Sequence, residues 1–234
     1  MSMKTKQMVS IPVLIKNSWS IYVNLFKHML FFVFTYFLIQ GTSTLAYTFF
    51  ELNTLYIFIF ALFVFVLPLL NTIPMVALIT LISRRGKGTD SNSLFSIAKE
   101  RALPLYWTSI LYLLSIFIGS TLLIIPGLMA MILFYFSFNI SVIEKISGIK
   151  ALAKSYSYVR GRFWPVLVRL LPVIIFSGSQ TLIGNYLANI SSFEFLRFIF
   201  KSGFPMVVLW PLETIYIQLI YEDIKSINTN NVKS

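Results

Sequence analysis

The sequence has no cysteine and a single histidine, His28. It therefore has no disulfide, no thiolate zinc site and no palmitoyl or lipoprotein anchor, and it lacks the several His or Cys ligands of a metalloprotease. Charge is scarce too: charged residues make up 12% of the chain, against about 25% in an ordinary soluble domain. Acidic residues are the scarcer sign, eight against nineteen Lys and Arg, for a formal net charge of +11. The only two Asp, Asp90 and Asp223, lie outside the apolar stretches, which excludes an intramembrane aspartyl protease. Neither G-x-x-x-x-G-K-[ST] nor G-x-G-x-x-G occurs, and Arg85-Gly86-Lys87-Gly88 reads as a basic turn rather than a phosphate cradle. His28 reads as an interfacial polar residue, not as the base of a Ser-His-Asp triad. No cofactor is expected.

What is abundant is apolar. Hydrophobic residues make up 57% of the 234 and aromatics 17%, including 23 phenylalanines. So few charged side chains cannot cover so large a core, which argues against a soluble globule and for an integral membrane protein. A bilayer core is roughly 30 Å thick, so a crossing helix needs about 20 apolar residues. Candidate spans are 29–50, 55–82, 105–125, 128–143, 163–186 and 204–221. The run 105–143 would be roughly 58 Å long as one helix, so it must turn. Ile125-Pro126-Gly127 is its only strong breaker, since proline cannot continue the hydrogen-bond ladder and glycine permits the turn. The charged lead and long apolar run at the start read as an uncleaved first helix, not a signal peptide.

The charges were not needed to draw these spans, and they agree with them. Sixteen of the nineteen basic residues fall on one side, two (Arg197 and Lys201) on the other, and Arg169 inside the fifth span. The positive-inside rule then puts both termini in the cytoplasm. The predicted fold is all-α: six transmembrane helices as three hairpins, each preceded by a cytoplasmic amphipathic elbow helix, in one membrane domain over 1–225 with a short polar tail over 226–234. The elbows are read from apolar steps of three and four: Ile11, Ile15, Trp19, Tyr22, Phe26 and Met29; Leu94, Ile97 and Ala98; and Ile146, Ile149, Ala153, Tyr156 and Val159. Trp19, Tyr22, Tyr156 and Trp164 are the expected interfacial anchors. Ser18-Trp19-Ser20 and Ser155-Tyr156-Ser157 stand at matching distances before Phe26 and Phe163, and suggest a threefold pseudo-repeat.

Charge inside a membrane invites a functional reading because its burial is costly. Arg169 and Glu213 lie at similar depth, about 9 and 12 Å from the same side, so they are expected to pair or share water. A structural role for the pair, with the Arg169 stem reaching to the interface, competes with transport or proton relay. Asn71, Gln180 and Asn185 read as interhelical hydrogen bonders.

The stretch Ile118 to Gly127, then Glu144, Ala151 to Ser155 and Val159-Arg160-Gly161-Arg162-Phe163-Trp164, resembles the membrane domain found with some bacterial glycerophosphoryl diester phosphodiesterases, and related stand-alone inner-membrane proteins. Asn17-Ser18-Trp19 with Tyr22 and Ile220 to Ile224 are similar too. The resemblance implies a six-helix membrane protein of the bacterial plasma membrane. In the enzymes a separate soluble domain carries the catalytic residues; that part is expected to be absent here, and no catalytic residue carries over. The expected function is non-catalytic, a membrane scaffold or envelope-maintenance role through anionic lipid and a membrane-protein partner, with no nucleic acid. A small transporter or channel built on Arg169 and Glu213 is the alternative. Pro126 and Gly127, and Arg160, Gly161 and Arg162, are the expected structural turn and elbow end.

Overall fold

Inside lipid a backbone can satisfy its polar groups only as helix or closed barrel. The computed structural model describes residues 8–49, 54–87, 90–193 and 204–232, and these are helical with no strand among them. The elements are α1 (Ile11–Phe49), α2 (Thr54–Ser83), α3 (Ser91–Leu122), α4 (Ile124–Phe134), α5 (Ser137–Ile143), α6 (Ile149–Val159), α7 (Phe163–Ile190) and α8 (Phe204–Val232). Among the described residues, three stretches are long and apolar enough to cross a membrane: Asn92–Leu122, Ile124–Ile143 and Phe163–Ile190. Lys4, Lys6, Arg197, Lys201 and Lys233 lie outside the described residues, as does the side chain of Gln180.

Neighbouring helices follow the order α3, α2, α1, α8, α7; α4 packs on α3 and touches α7, closing the ring. Two apolar clusters fill it. One joins Met29 and Phe32 of α1, Leu78 and Ile82 of α2, and Leu94 and Leu105 of α3. The other joins Phe136 and Ile140 of the α4–α5 arm, Val159 of α6, Val166 of α7, and Ile220 and Tyr221 of α8. α8 contributes to both, so it is the shared wall of the bundle.

The elbows differ from one another. The first two expected elbows are not separate helices: α1 runs unbroken from Ile11 to Phe49, and α3 from Ser91 to Leu122. α1 is nonetheless not parallel to α8. Val9, just before α1, bonds Asp223, while Tyr36 stacks on Trp210 at 4.3 Å between ring centroids. About 40 Å along α1 thus matches about 20 Å along α8, so α1 crosses or bends. Only the third elbow, α6, is a helix of its own, bounded by Gly148 at φ +65° and Gly161 at φ +82°, a left-handed region that favours glycine. The polar end of the chain is not a loose tail: α8 continues to Val232, with Ile227 buried.

The faces also differ from the periodicity reading. In α1 the protein-facing side is Leu14, Ser18, Tyr22, Leu25 and Met29, whereas Ile15, Trp19 and Phe26 are exposed. Trp19, Tyr156 and Trp164 are exposed as anchors should be; Tyr22 is instead buried in the core, stacked on Trp19. Both sides of α1 are apolar, so spacing alone could not say which one met protein. In α3, Leu94 and Ala98 are buried as expected.

The turn in the 105–143 run comes slightly earlier than Pro126. The single extended residue is Leu123 (φ −164°, ψ 154°), and α4 starts at Ile124. Pro126 therefore sits in the first turn of α4, where its missing N–H leaves no helix bond unmade. Gly127 is required for closeness rather than for a special dihedral: a Cβ there would stand 2.1 Å from Ser120 Oγ and 2.9 Å from Ser120 N. Gly119 faces it, 3.0 Å from the Gly127 backbone by the same construction. Such backbone approach is how small residues join helices in lipid. Gly127→Val should lower stability by about 1–3 kcal/mol, because backbone cannot yield as a side chain can. Gly178→Ala, with nothing within 4 Å, should leave it unchanged or slightly raised. Thermal unfolding in detergent compares the two; equal melting of Gly127→Val and the parent would refute the contact.

Candidate functional site

The polar side chains converge at one end of the bundle, around the last three turns of α8. Glu144 follows α5. Its Oε1 accepts hydrogen bonds from Tyr158 (3.0 Å) and Tyr221 (2.5 Å) and lies 3.2 Å from Lys225 Nζ; its Oε2 pairs with Lys154. The Glu144 side chain is only 8% exposed. The convergence has a local cause. α6 carries Lys154 and Tyr158 and α8 carries Tyr221 and Lys225, each pair four residues apart and hence on one helical face. Each helix thus presents one ammonium and one phenol to the same carboxylate. Lys145 at φ +60° and Gly148 at φ +65° reverse the chain between α5 and α6 and lay α6 back across it. Thr108 anchors that reversal, its hydroxyl accepting the Gly148 N–H at 2.8 Å.

Burial alone would raise the Glu144 pKa. The hydrogen bonds from Lys154, Tyr221 and Tyr158, with the Lys225 charge, overcome it and hold the carboxyl down at about 2. The Tyr158 phenol is pushed up, first by burial and then by its bond to this anion. The site is therefore a fixed anion with both oxygens taken, unsuited to accept a proton near neutral pH.

Three further clamps use the same end of α8. Arg85 pairs with Glu222 at 2.8 Å; Glu222 accepts from Gln218, and Gln218 accepts from Asn139 of α5. Arg162 donates to Asn228 Oδ1 at 2.8 Å, tying the start of α7 to α8. Val9 is held at both of its peptide groups: its N–H donates to Asp223 (2.8 Å), and its carbonyl accepts from Arg169 Nε (3.0 Å) and Nη2 (2.9 Å).

That last contact replaces the expected charge pair. Arg169 turns to Val9 and to the Pro165 carbonyl, while Glu213 accepts from Ser177 at 2.9 Å, so no ion pair joins Arg169 to Glu213. Both remain near one feature, a cavity of about 250 Å³ between α1, α7 and α8, with Glu213 and Tyr216 in its lining and the Tyr216 hydroxyl donating to the Arg169 carbonyl. Pro126 and Gly127 lie at the hairpin tip described above. Arg160 is exposed over the Tyr156 ring at 5.7 Å, and Gly161 ends the elbow. The Asn71 Oδ1 is buried with no hydrogen-bond partner among the described residues, and Asn185 is exposed. No group of three or more His, Asp or Glu that could hold a metal occurs among the described residues.

The Glu144 centre was the residue set that composition and spans did not single out. A signal existed in the two Lys/Tyr pairs at four-residue spacing, but only the fold aims them at one point. Glu144→Gln leaves two ammonium groups facing a neutral amide, and should cost roughly 1–3 kcal/mol, discounted because both lysines are partly exposed. The folded pKa lies below the ordinary 4.5, so this stabilisation is complete above about pH 4.5 and is lost as the pH falls toward about 2. Acid titration of the melting temperature reads it: parent and Glu144→Gln should converge at low pH, and parallel curves would refute the assignment. Arg169→Leu should free the Val9 segment with the bundle intact, seen as faster hydrogen exchange and proteolysis before Leu14; an unchanged pattern would refute the clamp. In comparisons with known proteins, no family model, no curated protein and no solved structure matches this chain.

Proposed function

We propose that this chain is a non-catalytic polytopic membrane protein that works as a scaffold or envelope-maintenance factor through contacts with lipid and with a membrane-protein partner. In this reading it crosses a bacterial plasma membrane six times as three hairpins, both termini in the cytoplasm. The observation that carries it is the fate of Glu144: a buried, ionised carboxylate whose every bond goes to another helix of the same bundle. Polar groups gathered for chemistry keep a reactive atom free; these are spent on joining α5, α6 and α8. The outward surface offers large apolar side chains, among them Phe117, Leu122, Ile124, Ile175 and Leu182, which suit lipid. Basic residues dominate the end where α6 lies, which suits anionic headgroups. The resemblance to the phosphodiesterase-associated membrane domain points the same way, toward a membrane part that serves a partner.

A transporter reading draws on one feature, the cavity beside Glu213. It is weakened because Arg169 is engaged elsewhere.

The chain's lack of cysteine makes the topology testable by single-cysteine labelling. Ser157→Cys and Thr229→Cys should react only with reagent admitted to the cytoplasm, and Leu123→Cys and Phe193→Cys only with external reagent; any other partition overturns the six-span arrangement. Co-purification from native membrane should retain lipid and a membrane protein, with a phosphodiesterase the most telling partner. Solute flux through proteoliposomes of the chain alone, abolished by Glu213→Gln, would overturn the scaffold reading in favour of transport.

A further inference from the structure

α6 has two working edges. Its inner edge, Ala151, Leu152, Ser155 and Val159, is buried, and the Ser155 hydroxyl donates to the Leu133 carbonyl at 2.8 Å, pinning α6 to α4. Its outer edge stays apolar, with Ile149 73% and Tyr156 37% exposed. Between that edge and the α3–α4 hairpin runs a groove of about 400 Å³, lined by Leu114 and Ile118 of α3, Phe134 of α4, and Ile149, Ala153 and Tyr156 of α6. α3 and the α4–α5 arm are two of the three stretches able to cross a membrane, and α6 begins six residues after that arm ends. Two of its walls therefore belong to stretches able to cross a membrane.

One cation stands beside it. Lys154 is consumed by Glu144 and Arg162 by Asn228. Arg160 has no carboxylate partner among the described residues and is exposed. It lies over Tyr156, which is itself part of the groove. Lys150, also exposed, is at the other end of α6, about 15 Å away along the helix. An apolar slot with an uncompensated guanidinium beside it is complementary to one amphiphile, with hydrocarbon for the slot and a phosphate for the cation.

We propose that this groove is a binding site for a single anionic phospholipid, one acyl chain seated between α3, α4 and α6 and the headgroup phosphate held by Arg160. It rests on the membrane reading above and makes it specific: one retained lipid, not an annulus.

The test is native mass spectrometry of the full chain in detergent, titrated with phosphatidylglycerol or with phosphatidylcholine of the same acyl chains. The parent should retain one phosphatidylglycerol in preference to phosphatidylcholine. Arg160→Gln should lose that preference by about fivefold, the contribution of one basic residue near a headgroup, and Lys150→Gln should keep it. Ala153→Trp, which fills the slot from an exposed position, should lose both lipids. All three positions are exposed, so melting temperatures should hold and report that folding is intact. Equal retention of the two lipids by the parent, or phosphatidylglycerol retention by Ala153→Trp equal to the parent's, overturns the site. A chain that leaves membranes without detergent overturns the membrane reading itself, whereas one that needs detergent yet shows no lipid preference overturns the site alone.

Discussion

A carboxylate taken out of water loses several kcal/mol of hydration unless its oxygens are met by strong donors. Glu144 is met by four groups from two helices, and this sets where those helices can lie. A two-donor arrangement would tolerate sliding of one partner. With an ammonium and a phenol from each side, sliding α6 along α8 by one turn would remove both contacts from that side at once. The interaction works less as added stability than as a register pin, since an apolar replacement of the whole cluster could be as stable but less selective. The rest of the end cap follows the same pattern: Asn139 with Gln218, Arg85 with Glu222, Arg162 with Asn228, and Val9 between Asp223 and Arg169 each fix another segment to α8. α8 is thus the element against which most others are positioned, in polar contacts as in the apolar clusters.

How much of this was legible depended on whether the cause was local. The helical class and the break between α3 and α4 follow from hydropathy, length and one proline, which are local. The role of Gly127 was not, because the need for closeness arises from Ser120 on the facing helix, and a glycine before it is folded looks like any turn glycine. The elbows show a similar limit. Spacing points to amphipathic segments, yet in α1 the expected stripe is split: its Ile15, Trp19 and Phe26 point outward, while its Tyr22 and Met29 point in beside Leu14. In a membrane protein both faces of a helix can be apolar, one against protein and one against lipid, so periodicity loses its sign. Arg169 and Glu213 stood out for being charged at depth, and both do have specific partners; depth alone could not say that the partners would be Val9 and Ser177.

The separateness of the third elbow bears on the suggested repeat. α1 and α3 carry elbow and long helix as one body, so a force on the elbow is a force on the whole helix. α6 is cut free at both ends by glycines with positive φ, at Gly148 and Gly161. The third expected elbow is thus a helix bounded by a backbone reversal on each side, whereas the first two continue into the long helices that follow them.

An 11-residue helix bounded by a backbone reversal at each end is positioned by what it touches. Inward it touches Glu144 through Lys154 and Tyr158, and Leu133 through Ser155; outward it forms one wall of the apolar groove, with Arg160 over the groove's Tyr156. The two sets alternate along the same three turns, and a helix this short moves as a rigid body. Both sets of contacts therefore belong to one short helix. The buried carboxylate is then more than a staple: through Lys154 and Tyr158 it positions the helix that walls the groove.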